Sequence, residues 1–597
     1  MARRRQRVEM KKLWDEDPRK IPFEKSKKRA LILTTIIFFC FGVIFFRLVD
    51  LMVIDHEKLS GRAAMQYAHK KTLTSQRGII WDRRLREMAT NIESETLYAN
   101  PLKVSDTRNF SRDLASLTRI SYKKINRTLM ANSNKKYITL VRKMDVSTSG
   151  RVNLMIEKMG YSGLGFFSEA KRYYPKGGTA SHLLGITNID NEGIAGLELM
   201  YDEYLKGEVK RVDVDTDALG NRLSGEIKEV TPGDNLLLTI DEGLQYIVER
   251  ELTKAAEEWK AESAVAIMMD PVTGEILAMA NRPTFDPNLA GKSKVRVRRN
   301  RAITDLFEPG STLKAVLAAA ALDEGVVELD DEFDVSDGYI KVGGKRVRDV
   351  HKHETLIFQE VIQKSSNVGA VQIGLELGKE KYYKYIRKFG FGEKTGIDFP
   401  GEVRGILRKT KDWSGTSIAA LSIGQEIGVT PLQILNAYAV IANGGLLMKP
   451  YIVSDIISSS GKSVKSMSPT IKRRVISKRT AAEIGDILKT VVEEGGTATK
   501  AYVKGNLVAG KTGTAQIFDH KAGRYSRKKY VSSFVGFAPA DNPEIALIVV
   551  IYEPEGGSYG GVVAAPVFRN IIEHTFAYLD VPMESDENQI LLVSRSR

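Results

Sequence analysis

The sequence predicts an α+β protein: a single N-terminal transmembrane helix, a mixed α/β domain, then a larger domain in which an antiparallel sheet carries helices. Three observations predict it. The run Ala30–Phe46 holds no charge and follows a strongly basic stretch. Two apolar runs flank Pro271–Gly274 in "AVAIMMDPVTGEILAMAN" (264–281), the pattern of a β-hairpin. After several helical stretches the chain returns to strand-like runs at 507–516, 530–539 and 544–554. A strand hairpin, then helices, then strands again is the order of an antiparallel sheet with helices packed on it.

The first 29 residues form a basic tail expected to stay in the cytoplasm. Residues 30–54 are the anchor. The apolar run is just long enough to span, and Arg47 can snorkel to the interface. The basic region is too long for a cleaved signal peptide and no small-residue cleavage site follows, so the anchor is read as uncleaved. Everything after it is expected outside the cytoplasmic membrane. Residues 55–225 read as the mixed α/β domain, a pedestal with no catalytic cluster. In it "RGIIWDRR" (77–84) joins a short strand to a charged turn. "RYYPKGGTASHLLGITNIDNEGIAGLELMYDEYLKG" (172–207) sets closely spaced glycines before an amphipathic helical run. Arg77 and Glu198 are expected to pair and clip these distant stretches together. Residues 226–583 form the larger domain, opening with a turn, strand and acidic helix start in "TPGDNLLLTID"; 584–597 is a polar tail.

Composition excludes several classes of function. Cys40 is the only cysteine, so neither an intrachain disulfide nor a Cys-rich metal site is possible. The closest histidines, His351 and His353, are a poor zinc site by themselves. The net charge of +15 includes a cluster at "KSKVRVRRNR" (292–301). An extracytoplasmic position argues against nucleic acid, an anionic envelope polymer or lipid surface fits better, and the cluster is read as a solvated face.

Helices are expected over 311–323, 355–377 and 431–443. The first opens on "EPGSTLKAV", where Pro309 and Gly310 punctuate and Ser311 and Lys314 stand one turn apart on one face. That geometry suits a nucleophile and its base, and it suits a helix cap. Ser-x-x-Lys recurs at Ser121, Ser133, Ser168, Ser459 and Ser526, so the pattern alone decides nothing. Two further motifs follow in order: Ser365-x-Asn367 after a helix, and Lys511-Thr512-Gly513-Thr514 on a late strand. A second Lys-Thr-Gly at 394–396 shows that this one is also weak alone. The ordered set of three is specific to serine acyl-transfer sites.

With these motifs the sequence resembles the class B penicillin-binding proteins, and within them the division-specific, septal branch. The resemblance covers nearly the whole chain after the anchor, including "DPVTGEILAMANRPTFDPN", "RAITDLFEPGSTLK" and "GQEIGVTPLQILNAYAVIANGG". One departure lies at 82–86. The family often has Asp-Arg-Asn-Gly where this chain has Asp82-Arg83-Arg84-Leu85-Arg86, which puts a tight turn in doubt.

Acyl transfer needs a nucleophile, a base and donors for the oxyanion. Ser311 is the candidate nucleophile. Lys314 can take its proton only when neutral, and burial and the charge of Lys511 are each expected to lower its pKa. Ser365 can relay a proton, and Asn367 can orient Lys314 and bond the substrate amide. Thr512 and Thr514, beside Gly513, offer hydroxyls to a terminal carboxylate. The resemblance implies an oxyanion hole from the N–H groups of Ser311 and Thr514, and a peptidoglycan stem peptide ending in D-Ala-D-Ala as substrate. It also implies acylation by β-lactams, and a SEDS-family membrane glycosyltransferase with divisome proteins as partners. No metal or organic cofactor is expected. A D,D-carboxypeptidase, using water in place of the amine, and a non-catalytic division scaffold or β-lactam-binding module are the alternatives.

Overall fold

The computed structural model describes residues 23–59, 68–215, 230–504, 507–519 and 523–581. These form two compact units. The polar tail and most of the basic tail lie outside the described residues.

The first unit contains the anchor. A helix runs Phe23–Val49 and continues as a π turn, Asp50–Ile54. Its span Lys27–Ile54 is long and apolar enough to cross a membrane. Phe38, Phe39 and Phe46 stand exposed along it. The hydroxyls of Thr34 and Thr35 donate back to the carbonyls of Ala30 and Leu31 at 2.9 and 2.8 Å, so neither needs a partner in lipid. In the same unit Ala68–Thr74 and Val209–Asp215 form a two-stranded antiparallel ribbon.

The second unit is built on two sheets. The larger, of seven strands, has at its centre Asn235–Leu238 beside Ile80–Trp81, the one parallel pair in it. Glu87–Ala99, Ile138–Met144 and Leu164–Tyr173 extend it one way, Val453–Ile457 and Ser463–Ser466 the other. The strands 235–238 and 453–457 come from the part of the sequence read as the second domain, so the sheet runs across that division. The other sheet has five antiparallel strands in the order Ile276–Arg282, Ser263–Met269, Ile545–Tyr552, Arg524–Ala538, Ala509–Asp519. Both of its faces are covered. Val265, Ile267 and Met269 point into a core with the helices Lys314–Asp323, Pro431–Ala442 and Lys478–Thr490. Ala264, Ala266 and Met268 point the other way, against Glu242–Glu258 and Ala565–Leu579. A strand buried on both faces reads as a continuous apolar run, which is why "AVAIMM" and "IALIVVIY" do not alternate.

The doubtful turn at 82–86 is made. Leu85 N–H donates to Asp82 O at 3.0 Å, and Leu85 takes φ 63°, the left-handed conformation a glycine would accept without cost. That costs a leucine about 1–2 kcal/mol. The two arginines beside it offset this: Arg84 and Arg86 reach Asp241, the N-cap of the helix Glu242–Glu258, at 2.8 and 2.9 Å, and Arg86 also holds Asp82.

Arg77 and Glu198, both fully buried, meet at 2.5 Å. Arg172 binds the other carboxylate oxygen at 2.6 Å, and Arg77 continues to Asp202 at 2.6 Å. Burial alone would push the Glu198 carboxyl up; Arg172 and Arg77 outweigh it and hold the carboxyl below its ordinary range. Removing Arg77 leaves Glu198 with Arg172 alone and takes from Asp202 its arginine partner. We expect Arg77→Ala to cost about 3–5 kcal/mol of stability. An unchanged unfolding temperature by scanning calorimetry would show that the clip contributes nothing.

Candidate active site

Ser311 sits in a 3-10 turn, Gly310–Leu313, that runs directly into the helix Lys314–Asp323. Gly310 has φ 56° and its N–H donates to Gly424 O at 3.0 Å. A Cβ on Gly424 would lie 1.9 Å from Gly310 O, so this contact requires a glycine there. From the opposite side the buried Tyr438 hydroxyl donates to Thr312 O at 2.9 Å. The turn is thus held from two directions. Ser311 itself is half-buried, and its hydroxyl makes no hydrogen bond among the described residues.

Lys314 is fully buried. Its Nζ donates to Ser365 O at 2.7 Å, Asn367 Oδ1 at 2.8 Å and Ser366 O at 3.1 Å, with Ser365 Oγ at 3.4 Å. The Ser-x-x-Lys and Ser-x-Asn motifs therefore meet through the lysine. The helix expected over 355–377 is corrected: a strand Thr355–Ile357 precedes two helices, Phe358–Gln363 and Asn367–Leu377. Between the helices Ser365 takes φ 60°. This kink turns two consecutive carbonyls toward Lys314.

Asp349 was not singled out from the sequence. It accepts from Ser366 Oγ at 2.7 Å, from Val368 N–H at 3.0 Å and from the N–H of Asn367, placing a carboxylate at the N-terminus of the second helix. Asn367 Nδ2 donates to Arg348 O at 2.9 Å, which fixes the amide so that Oδ1 faces Lys314. Beside Asn367 lies a cavity of about 170 Å³, walled in part by Lys345, Arg346 and Arg348.

Glu308 was also passed over. Its Oε1 accepts from Glu426 N–H at 2.9 Å and from the Tyr525 hydroxyl at 3.0 Å. Three residues before Ser311, the turn is thereby tied to the strand Arg524–Ala538. Burial pushes the Glu308 carboxyl up. No local signal marks either acid, because their partners lie far away in sequence.

The Lys511-Thr512-Gly513-Thr514 stretch lies in the edge strand Ala509–Asp519. Its glycine lets the strand pass the Ser311 turn: a Cβ on Gly513 would lie 2.4 Å from Ser533 Oγ and 2.9 Å from Pro309 O. Thr514 Oγ1 accepts from Gly560 N–H at 3.0 Å, leaving its own proton to donate. Thr512 shares a hydrogen bond with Thr497 at 3.3 Å.

Electrostatics separate the two lysines. Burial takes Lys314 down to about 7, against the opposing charge of Asp349. Burial and the charge of Lys314 push Lys511 far below its ordinary range. The two ammonium groups repel each other, and the charge of Lys314 adds to burial in lowering Lys511. Lys314 has oxygen acceptors and Asp349 nearby, whereas Lys511 Nζ is buried with no hydrogen-bond partner among the described residues.

A serine beside a buried lysine that titrates near neutrality, on a turn packed against an edge strand, defines a serine acyl-transfer type of site. Comparison with known proteins gives its family. The model of the penicillin binding protein transpeptidase domain matches residues 264–573, and that of the penicillin-binding protein dimerisation domain matches 72–238. The chain is 37% identical over 563 residues to Stage V sporulation protein D of Bacillus subtilis, covering 92% of this chain and 86% of that protein. It is 32% identical over 561 residues to the peptidoglycan D,D-transpeptidase FtsI of Escherichia coli, covering 92% of each. Among solved structures it is similar to penicillin binding protein 3 of Mycobacterium tuberculosis in complex with aztreonam, at TM-score 0.67 and 28% identity, covering 86% of this chain and 98% of that one. Penicillin binding protein 2X of Streptococcus thermophilus aligns at TM-score 0.70 and 26% identity, covering 85% and 80%. The chain belongs to the class B penicillin-binding proteins, and it is membrane-anchored.

A lysine that must be neutral to accept a proton gives a pH dependence of known sign. Acylation by a β-lactam should rise through pH 7 and level off above it, roughly tenfold between pH 6 and pH 8. Asp349→Asn removes the charge that opposes the shift and should move the midpoint to lower pH. Stopped-flow acylation rates from about pH 5 to about pH 9 check both; a flat profile would remove Lys314 as the base.

Proposed function

We propose that this chain is a peptidoglycan D,D-transpeptidase that crosslinks stem peptides through an acyl-serine intermediate, and that it works at the division septum. The observation that carries the reading is the buried Lys314, titrating near 7 and held between the Ser-x-Asn motif and the Ser311 turn.

Neutral Lys314 takes the Ser311 proton as Oγ attacks the carbonyl of the penultimate D-alanine. The distance closes when substrate aligns the hydroxyl, as is common for catalytic hydrogen bonds in unliganded sites. The N–H groups of Ser311 and Thr514 hold the oxyanion. The C–N bond breaks, and Ser365, reached by Lys314 through its Oγ, returns the proton to the leaving D-alanine amine. Asn367 bonds the substrate amide. The hydroxyls of Thr512 and Thr514 take the terminal carboxylate, whose charge favours the protonated form of Lys511. The free edge of the Ala509–Asp519 strand suits an extended stem peptide. An amine from a neighbouring stem then attacks the acyl-serine; the C–O bond to Ser311 breaks, and the proton lost by the amine passes through Ser365 and Lys314 to Ser311 Oγ, forming the crosslink and freeing the serine. β-Lactams enter the first half of this cycle and stop there.

The basic tail supports an N-terminus in the cytoplasm and a catalytic domain outside, in a single-pass arrangement in the bacterial cytoplasmic membrane. A SEDS-family glycosyltransferase and divisome proteins are the partners proposed, through the anchor and pedestal. Likeness to FtsI supports the septal setting. The greater identity to a protein named for sporulation favours a second setting, wall synthesis during sporulation. Depletion that blocks spore formation while vegetative division proceeds would select it.

The direct test is a fluorescent penicillin and peptide mass spectrometry. A single adduct on the Ser311 peptide, abolished in Ser311→Ala, is expected. Lys314→Arg, whose guanidinium stays charged, should lower acylation by about 10²–10⁴. With a donor and an amine acceptor present, the expected product is a crosslinked peptide. D-alanine release without crosslinks would make the enzyme a carboxypeptidase.

A further inference from the structure

The lobe at residues 100–165 carries a positive excess that the chemistry above does not use. It holds thirteen lysines and arginines against Asp106, Asp113, Asp145 and Glu157. Outside this lobe and the basic first 29 residues, the remainder of the chain sums to one negative charge. The excess expected outside the membrane is therefore concentrated in one place.

The lobe is a folded element. Helices Thr107–Leu117, Tyr122–Ala131 and Val146–Met159 close over a core that includes Phe110, Leu114, Ile125, Leu129 and Val152. Of its thirteen cations, Arg142 pairs with Glu169 and Asp190, and Lys143 is half-buried against Asn191. The other eleven are exposed and in no ion pair among the described residues. The helix Tyr122–Ala131 has no acid at all. On it Lys123 and Arg127 lie one turn apart with Lys124 beside them, a spacing at which like charges destabilise a helix. Arg108 and Arg112 repeat the pattern on the preceding helix. A face serving only solubility interleaves both signs. This one accepts repulsion.

We propose that the lobe binds the carboxylate-bearing peptidoglycan polymer itself, holding it to the enzyme independently of the cleft through many weak, salt-sensitive contacts. The inference rests on the proposed function for the identity of the polymer. A polymer is favoured over an acidic protein because the cations are spread over three helices and the turns between them. Protein interfaces instead deplete lysine at their centres. The exposed ring of Tyr137, stacked on Tyr98 at 5.1 Å and following Lys135 and Lys136, adds a flat apolar face beside charge, suited to a sugar ring.

The test uses the full chain in detergent micelles, its cleft blocked with benzylpenicillin, sedimented with purified peptidoglycan sacculi stripped of covalently attached phosphate polymers. The parent should sediment at about 50 mM salt and be released at about 0.5 M, where exposed charges are screened. The triple variant Lys123→Glu, Lys124→Glu, Arg127→Glu should bind at least ~10-fold more weakly, with its penicillin labelling unchanged. The corresponding triple glutamine variant, which keeps good helix formers, decides the matter if the glutamate variant fails to fold; it too should bind more weakly than the parent. Sedimentation of either folded variant like the parent would overturn the proposal. So would binding only to sacculi that retain their phosphate polymers, or no binding by the parent. Penicillin labelling reports on the cleft alone, so loss of labelling would count against the transpeptidase reading and loss of sedimentation against this one.

Discussion

Much of the larger domain can be understood from one constraint: the Lys314 side chain is fully buried. An ammonium out of water must find oxygen partners or give up its proton. Here it does some of each. Two main-chain carbonyls and the Asn367 amide oxygen surround Nζ at 2.7–3.1 Å, yet burial still brings its titration down to about 7. Those carbonyls are available only because the chain kinks at Ser365 into the left-handed region. The kink in turn leaves the N-terminus of the next helix to be satisfied, and Asp349 does that while opposing the fall in the lysine's pKa. Nucleophile turn, lysine, kink and acid are coupled steps of one solution.

The burial itself comes from the sheet. Residues 314–321 of the nucleophile helix are all buried, and it is rich in alanine because it passes through the core and must approach its neighbours closely. The two-sided sheet supplies one wall and the helix Pro431–Ala442 another, with Tyr438 also fixing the Ser311 turn. The edge strand closes the site from the remaining side. It can do so at that distance only because Gly513 has no side chain. Substituting that glycine would push the strand off the turn and with it Lys511, whose position sets the repulsion between the two lysines.

The legible parts of this structure were those written locally. The hairpin at 264–281 was marked by its turn and its apolar runs, and the three motifs by residue type and order. The contact of Lys314 with Ser365 and Asn367, some fifty residues on, joins two of them. What was illegible depended on distant partners. Strands 235–238 and 453–457 give no sign that they belong to a sheet begun at residue 80, because apolar pattern encodes which face is buried and not which strand lies alongside. The helix at 355–377 read as continuous because its apolar spacing carries through the kink at Ser365, where a serine takes a conformation usually left to glycine. Asp349 and Glu308 carry no local mark, since both act by accepting hydrogen bonds from other elements. At Leu85 the missing glycine pointed to a lost turn, and the arginines that keep it could be recognised only once Asp241 was seen beside them.

Two buried charges in this unit are resolved in opposite ways. Glu198 in the pedestal is enclosed by Arg77 and Arg172, with Tyr174 adding a hydrogen bond at 3.2 Å, and the balance holds the carboxyl below its ordinary range. Its charge is fixed across the physiological range, and it can serve only as architecture. Lys314 is enclosed mainly by neutral oxygens, its nearest carboxylate already engaged with the helix N-terminus, and it titrates near neutrality. A group in that state exchanges its proton at little cost, which is the property a base requires. Both side chains are wholly buried, so burial does not separate structural charge from chemical charge. The degree of compensation does: full pairing with opposite charge locks a proton state, and solvation mainly by dipoles leaves it free to change.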